Sequence, residues 1–334
     1  MKHWPLLIFL LFTLGCAATP AAAPTATPEP PPFTLPDGFS LETLPYKFNR
    51  PTQFVLQGET LWVAELAAAE NEEQGRIVQV DLASGEKETL LEGLDKPTGL
   101  AILEDTIWIA TRDAILRTPM ATPTVVETVL CGLPNNGRSN GTLTPTPDGK
   151  LLYETSGNRR DADSGKLWTL NPETGETEAL ASGLKGAYAH AFDENGRLWI
   201  TEIVDGSIDD VTLPDEINLV TPDANFGWPT CYGRHLTGPD CDSVRPAVAV
   251  LPAHSTPTSI VLSPFQQDTL LVALWLTGEV VQIPFRLTDD NARGNPQPFI
   301  TDLRNPQHMV VAPDSSLWLS DYARDKIYRI FEEP

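Results

Sequence analysis

Six short segments recur along the chain at nearly constant spacing, and this repeat restricts the fold more than any other feature. They are Leu61-Trp62-Val63-Ala64-Glu65, Ile107-Trp108-Ile109-Ala110-Thr111, Leu151-Leu152-Tyr153-Glu154-Thr155, Leu198-Trp199-Ile200-Thr201-Glu202, Leu270-Leu271-Val272-Ala273-Leu274 and Leu317-Trp318-Leu319-Ser320-Asp321. Their first residues lie 46, 44, 47, 72 and 47 positions apart. Most are rich in β-branched and aromatic residues, and several follow polar turns such as Pro147-Asp148-Gly149 and Glu194-Asn195-Gly196. A second such segment follows most of them, for example Arg76-Ile77-Val78-Gln79-Val80 and Lys326-Ile327-Tyr328-Arg329-Ile330. A period of about 45 residues with several strands per unit means propeller blades: one four-stranded sheet exposes two apolar faces, and radial stacking buries both. No helical period competes. The reading is an all-β, six-bladed β-propeller over residues 35–334. The chain stops inside the sixth repeat while residues 39–56 precede the first, so N-terminal strands are expected to close the last blade. The 72-residue step marks an insertion in the fourth repeat, covering about Pro222 to Ala253.

The first sixteen residues read as an export signal. Lys2 gives a charged start, and the apolar run Leu6 to Leu14 is too short to span a bilayer. Thr13-Leu14-Gly15-Cys16 is similar to a bacterial lipobox, so Cys16 is expected to carry a lipid; ordinary signal cleavage among the alanines at 17 to 23 is the alternative. Residues 17–34 are mostly Ala, Pro and Thr, a composition expected to act as an extended tether. The expected location is the outer face of a bacterial membrane, with contact through the lipid alone.

With 23 basic against 45 acidic residues the formal charge is −22, which disfavours nucleic acid and anionic lipid as partners. Outside the cytoplasm Cys231 and Cys241 are expected to pair, leaving Cys131 as a buried free thiol. The sequence holds no zinc spacing, phosphate-cradling glycine loop or Gly-x-Ser-x-Gly elbow. His190 and His308 fall on strands, where a lone histidine is usually a core residue. Asp205, Asp209, Asp210, Asp215 and Glu216 form the clearest acidic cluster, which is either a calcium loop, with Asp205 and Asp215 as ligands, or a solvated loop.

In a propeller the loop leading into each innermost strand borders the central channel. Five of these six loops carry a basic residue at a matching place: Arg50, Lys96, Arg138, Lys185 and Arg304. The sixth has His254 beside it. These groups are expected either to converge as a cationic funnel for an anionic ligand or simply to solvate the rim.

Residues 196–241 resemble the glucose/sorbosone dehydrogenase family, soluble quinoprotein propellers that use pyrroloquinoline quinone (PQQ). The likeness lies in Leu198-Trp199-Ile200-Thr201-Glu202, Asp215-Glu216-Ile217-Asn218, and Asn225-Phe226-Gly227-Trp228-Pro229 with Cys231-Tyr232-Gly233. Weaker matches run from Leu35-Pro36-Asp37-Gly38-Phe39 to Ile327-Tyr328-Arg329-Ile330. The resemblance implies PQQ and calcium at the channel mouth and oxidation of a sugar or aldose. It also exposes departures. Arg138 stands where the family has its catalytic histidine, and an arginine cannot act as a base at ordinary pH. Asn158 replaces that histidine's acidic partner, Gly183-Leu184-Lys185-Gly186 replaces Gly-Leu-Arg-Asn, and Trp275 or a neighbour replaces a cofactor lysine. Two functions follow: a sugar dehydrogenase lacking its base, or a non-catalytic propeller that binds an anionic or carbohydrate ligand at the former cofactor site.

Overall fold

Each recurring segment forms the second strand of a four- or five-stranded sheet that is antiparallel but for one pairing, and six such sheets make the propeller. The computed structural model describes residues 31–333 apart from 70–71, 136–139, 159–160, 205–206, 209–210 and 235–240. The second strands run Thr60–Glu65, Thr106–Ala110, Leu151–Thr155, Leu198–Glu202, Thr269–Leu274 and Leu317–Asp321. Every one is buried almost throughout, because its neighbours in the sheet and the blades on either side cover both faces. The innermost strands run Pro51–Gln57, Gly99–Leu103, Thr144–Pro145, His190–Phe192, Pro257–Leu262 and Pro306–Val311.

Ring closure needs a single N-terminal strand rather than several. Phe39–Thr43 pairs antiparallel with Lys326–Glu332 on the outside of blade 6, while Pro51–Gln57 already belongs to blade 1. The packed chain begins earlier than residue 35. Phe33 is buried edge-on against Tyr328 with ring centroids 4.9 Å apart, and Thr34 bridges Thr301.

Aromatic residues fill the seams between blades. Trp199 is fully buried and its ring lies 4.5 Å from that of Phe285 in blade 5. Phe54 meets His308 of blade 6 edge-on at 5.0 Å. The insertion leaves blade 4 between its third and fourth strands, Asp215–Val220 and Ala249–Leu251. On its way Ala224–Asn225 pairs in parallel with the outer strand of blade 3. The Cys231–Cys241 disulfide is present. Cys131, expected to be buried, is exposed: it lies just past the edge strand Glu127–Leu130, outside the seams. No helix among the described residues is long and apolar enough to cross a membrane.

Candidate functional site

The loops leading into the innermost strands meet those leaving the second strands at one end of the channel. There they enclose a cavity of about 360 Å³. Thr52, Thr98, Thr256, Thr258 and Gln307 ring it with polar groups. Trp275, Leu276 and Tyr322 form an apolar wall on the side of blades 5 and 6, the two rings edge-on with centroids 6.1 Å apart. Bonds also join non-adjacent blades across the channel. Gln307 Nε2 donates to the Tyr188 hydroxyl at 2.8 Å, joining blades 6 and 4. The Gln53 carboxamide accepts from the amides of Leu100 (2.7 Å) and Leu143 (3.0 Å) and donates to Leu143 O at 2.9 Å.

A shared local geometry starts four of the six innermost strands. Arg50, Lys96, Thr256 and Asn305 each precede a proline and take left-handed backbone, with φ of 55°, 50°, 55° and 61°. Residues with a Cβ adopt this conformation rarely. Buried or partly buried carboxylates fix the loops by accepting their amide protons. Asp325 takes Arg50 N at 2.8 Å, Asp215 takes Thr256 N at 2.8 Å, Glu202 takes Lys185 N at 2.9 Å, and Asp321 takes Arg304 N at 2.9 Å. Sequence reasoning missed this role, although two of these acids close the recurring five-residue segment.

Of the six basic residues expected at the mouth, the described structure brings only Lys96 to the cavity wall. Arg50 sits at the matching backbone position, but its guanidinium turns to Ala68 O. Lys185 directs its Nζ over the Trp228 ring, 5.9 Å from the centroid. Arg304 and His254 are exposed and do not line the cavity. Arg138 lies outside the described residues. So do Asp205 and Cys16. Asp215 is fully buried, and besides Thr256 N it accepts from Val204 N at 2.9 Å and Ser255 Oγ at 3.0 Å. Its oxygens are engaged in clamping loops. Among the described residues no three His, Cys, Asp or Glu groups are placed to hold a metal.

Neither strand histidine faces the cavity. Burial pulls His190 down to about 4 and His308 down to about 3, so both are neutral. Three buried glutamates lie behind the mouth between blades 3 and 4. Burial raises Glu154 to about 8, against an amide bond from Ala187 and the charge of Lys185. Burial raises Glu216 to about 7 and lifts Glu202 well above its ordinary value, with Glu216 adding like-charge repulsion. Asn218 Nδ2 donates to Glu202 Oε2 at 3.0 Å.

No protein-family model matches the chain, and no curated protein matches it. Solved structures do match in three dimensions. The PQQ-bound aldose sugar dehydrogenase of Streptomyces coelicolor is 21% identical, covering 89% of this chain and 99% of that one, at a TM-score of 0.67. The holo PQQ domain of Coprinopsis cinerea pyranose dehydrogenase is 14% identical over 90% and 97%, at 0.71. The calcium structure of a Trichoderma reesei carbohydrate-active enzyme of family AA12 is 15% identical over 92% and 99%, at 0.72. The chain has the fold of these proteins. The expected architecture is thereby met, and the mouth can be tested against the cofactor. A quinone with three carboxylates needs several converging cations. The described mouth offers Lys96 alone, and no histidine or carboxylate lines it. These residues do not fit PQQ.

Proposed function

We propose that this chain is an exported propeller, tethered through a lipid on Cys16, that binds a sugar-sized molecule at its channel mouth without oxidising it. One observation carries this reading: the mouth sets hydroxyl and carboxamide groups against an aromatic wall and offers one cation and no histidine or carboxylate among the described lining residues. A sugar ring presents the complementary surface, apolar C–H groups on its face and hydroxyls around its edge. A cavity of about 360 Å³ lies within the range of small-molecule sites. Proton abstraction from a sugar hydroxyl needs a base within hydrogen-bond reach, and the described lining offers no histidine or carboxylate for it.

The likeness to PQQ-bound dehydrogenases favours a second reading, quinone-dependent oxidation of an aldose with calcium as co-ligand. That reading requires Arg138, Lys185 and Arg304 to gather at the mouth and a base to be found. The two readings separate in one assay. Purified soluble domain supplied with PQQ and calcium is titrated with aldoses while tryptophan fluorescence and dye reduction are followed together. The binder reading expects saturable fluorescence change with no dye reduction. Sugar-dependent dye reduction would establish the dehydrogenase instead.

A further inference from the structure

The threonines around the mouth do not share one hydrogen-bonding fate. Thr52 Oγ1 donates to Ala64 O at 3.1 Å and to Pro97 O of blade 2 at 2.8 Å. Thr258 Oγ1 donates to Pro306 O of blade 6 at 2.9 Å. Thr142, just behind, donates to Tyr188 O of blade 4 at 3.2 Å. Each hydroxyl clasps a carbonyl of the next blade. Thr98 breaks the series: it follows Pro97 as Thr52 follows Pro51, it is only 4% exposed, and its Oγ1 has no hydrogen-bond partner among the described residues.

The cause lies in blade 3. Where blades 2 and 6 present a proline carbonyl, blade 3 has Gly141, in left-handed backbone at φ 60°. Gly141 is pressed against Tyr188 of blade 4, so closely that a Cβ there would collide with Tyr188 O. Gly141 thus sits against blade 4, and the Thr98 hydroxyl does not make the clasp its equivalents make. A buried hydroxyl left unpaired is costly, and native proteins retain few of them. This one borders the cavity. One staggered step in χ1 exchanges its methyl and hydroxyl and brings the oxygen to the cavity wall.

We infer that Thr98 is the specificity-determining contact of the mouth, hydrogen-bonding one hydroxyl of an uncharged, pyranose-sized carbohydrate whose ring lies against Trp275. The inference rests on the proposed reading of the mouth as a sugar site. Lys96, two residues earlier on the same wall, adds a polar neighbour, and the opposite wall of Trp275, Leu276 and Tyr322 supplies the apolar surface. Thr98 and Lys96 on the blade 2 side thus share the cavity with the apolar surface of Trp275, Leu276 and Tyr322, while Thr256, Thr258 and Gln307 add polar groups from blades 5 and 6.

The test compares Thr98→Val with Thr52→Val and Thr258→Val in the purified soluble domain. Without ligand, T98V should melt at or above the wild-type temperature, since an unpaired hydroxyl is replaced by a methyl group. T52V and T258V should melt lower, since each breaks a clasp and leaves a carbonyl unpaired. In titrations with glucose, galactose, xylose and their deoxy analogues, T98V should bind its best sugar about tenfold more weakly, as expected for one lost hydrogen bond. The deoxy analogue lacking the contacted hydroxyl should distinguish wild type from T98V no longer. A T98V that melts as low as T52V, or binds sugar as wild type does, overturns the inference and leaves the sugar site standing. A wild type that binds none of these sugars overturns the sugar site itself, and this inference with it.

Discussion

At the scale of single residues, a few buried acidic side chains serve as clamps. Asp215, Glu202 and Asp321 are buried and hold the loops that shape the mouth, each by accepting backbone amide protons. The pKa of Glu154, in the same region, has a consequence for stability. Burial lifts it from 4.5 to about 8, so the fold favours its protonated form. Its contribution is therefore complete below about pH 4.5 and is lost as pH rises through about 8. Glu216, raised to about 7, acts in the same direction. Between pH 7 and pH 9, above the range in which unfolding lets His190 and His308 take up protons, urea midpoints should fall, and Glu154→Gln should flatten that slope while changing little at pH 5. A wild-type midpoint that rises with pH across this interval would contradict the assignment. In the sequence Glu154, Glu202 and Asp321 were visible only as acids at strand ends, and Asp215 and Glu216 as part of an acidic cluster. Their burial depends on which side of the blade seam each strand end faces, and a single strand's pattern does not specify that.

Among elements, the strands were the most legible part of the chain. Leu151–Thr155, Leu198–Glu202 and Leu317–Asp321 coincide with their sequence segments because apolar residues covered on both faces leave little choice of boundary. The insertion was legible from the 72-residue step, though its parallel pairing with blade 3 was not. The leading loops were the least legible. Lys96 and Arg50 both hold the left-handed place before a proline, yet only Lys96 lines the cavity, and Arg304, one residue before Asn305, does not line it either. Two substitutions test the packing of the elements. Trp199→Ala, in the seam of blades 4 and 5, should cost about 3–5 kcal/mol in chemical unfolding. Replacing Cys231 and Cys241 by Ser should cost about 2–3 kcal/mol on chain-entropy grounds, with the loss confined to samples compared under non-reducing conditions. Equal stability of that double variant and the wild type would show that the insertion is held without its bridge.

For the molecule as a whole, the formal charge of −22 and the nearly uncharged mouth are separate features. A net charge of this size repels anionic surfaces. The mouth, with Lys96 as its described cation, should bind aldoses with affinity that stays level as salt rises, whereas a funnel for anions would weaken steadily. Attachment is tested by Cys16→Ser, which should move the protein from the membrane fraction to the soluble one; wild-type protein already free in the medium would exclude the lipid. The fold, shared with PQQ-bound sugar dehydrogenases at TM-scores of 0.67 and 0.71, leaves open which small molecule the mouth retains. The account makes that mouth a sugar site that no longer holds the quinone. Equilibrium titration of the purified soluble domain with PQQ in the presence of calcium tests this most directly. The account predicts no saturable binding at micromolar quinone, and stoichiometric binding of PQQ at the channel mouth would contradict it.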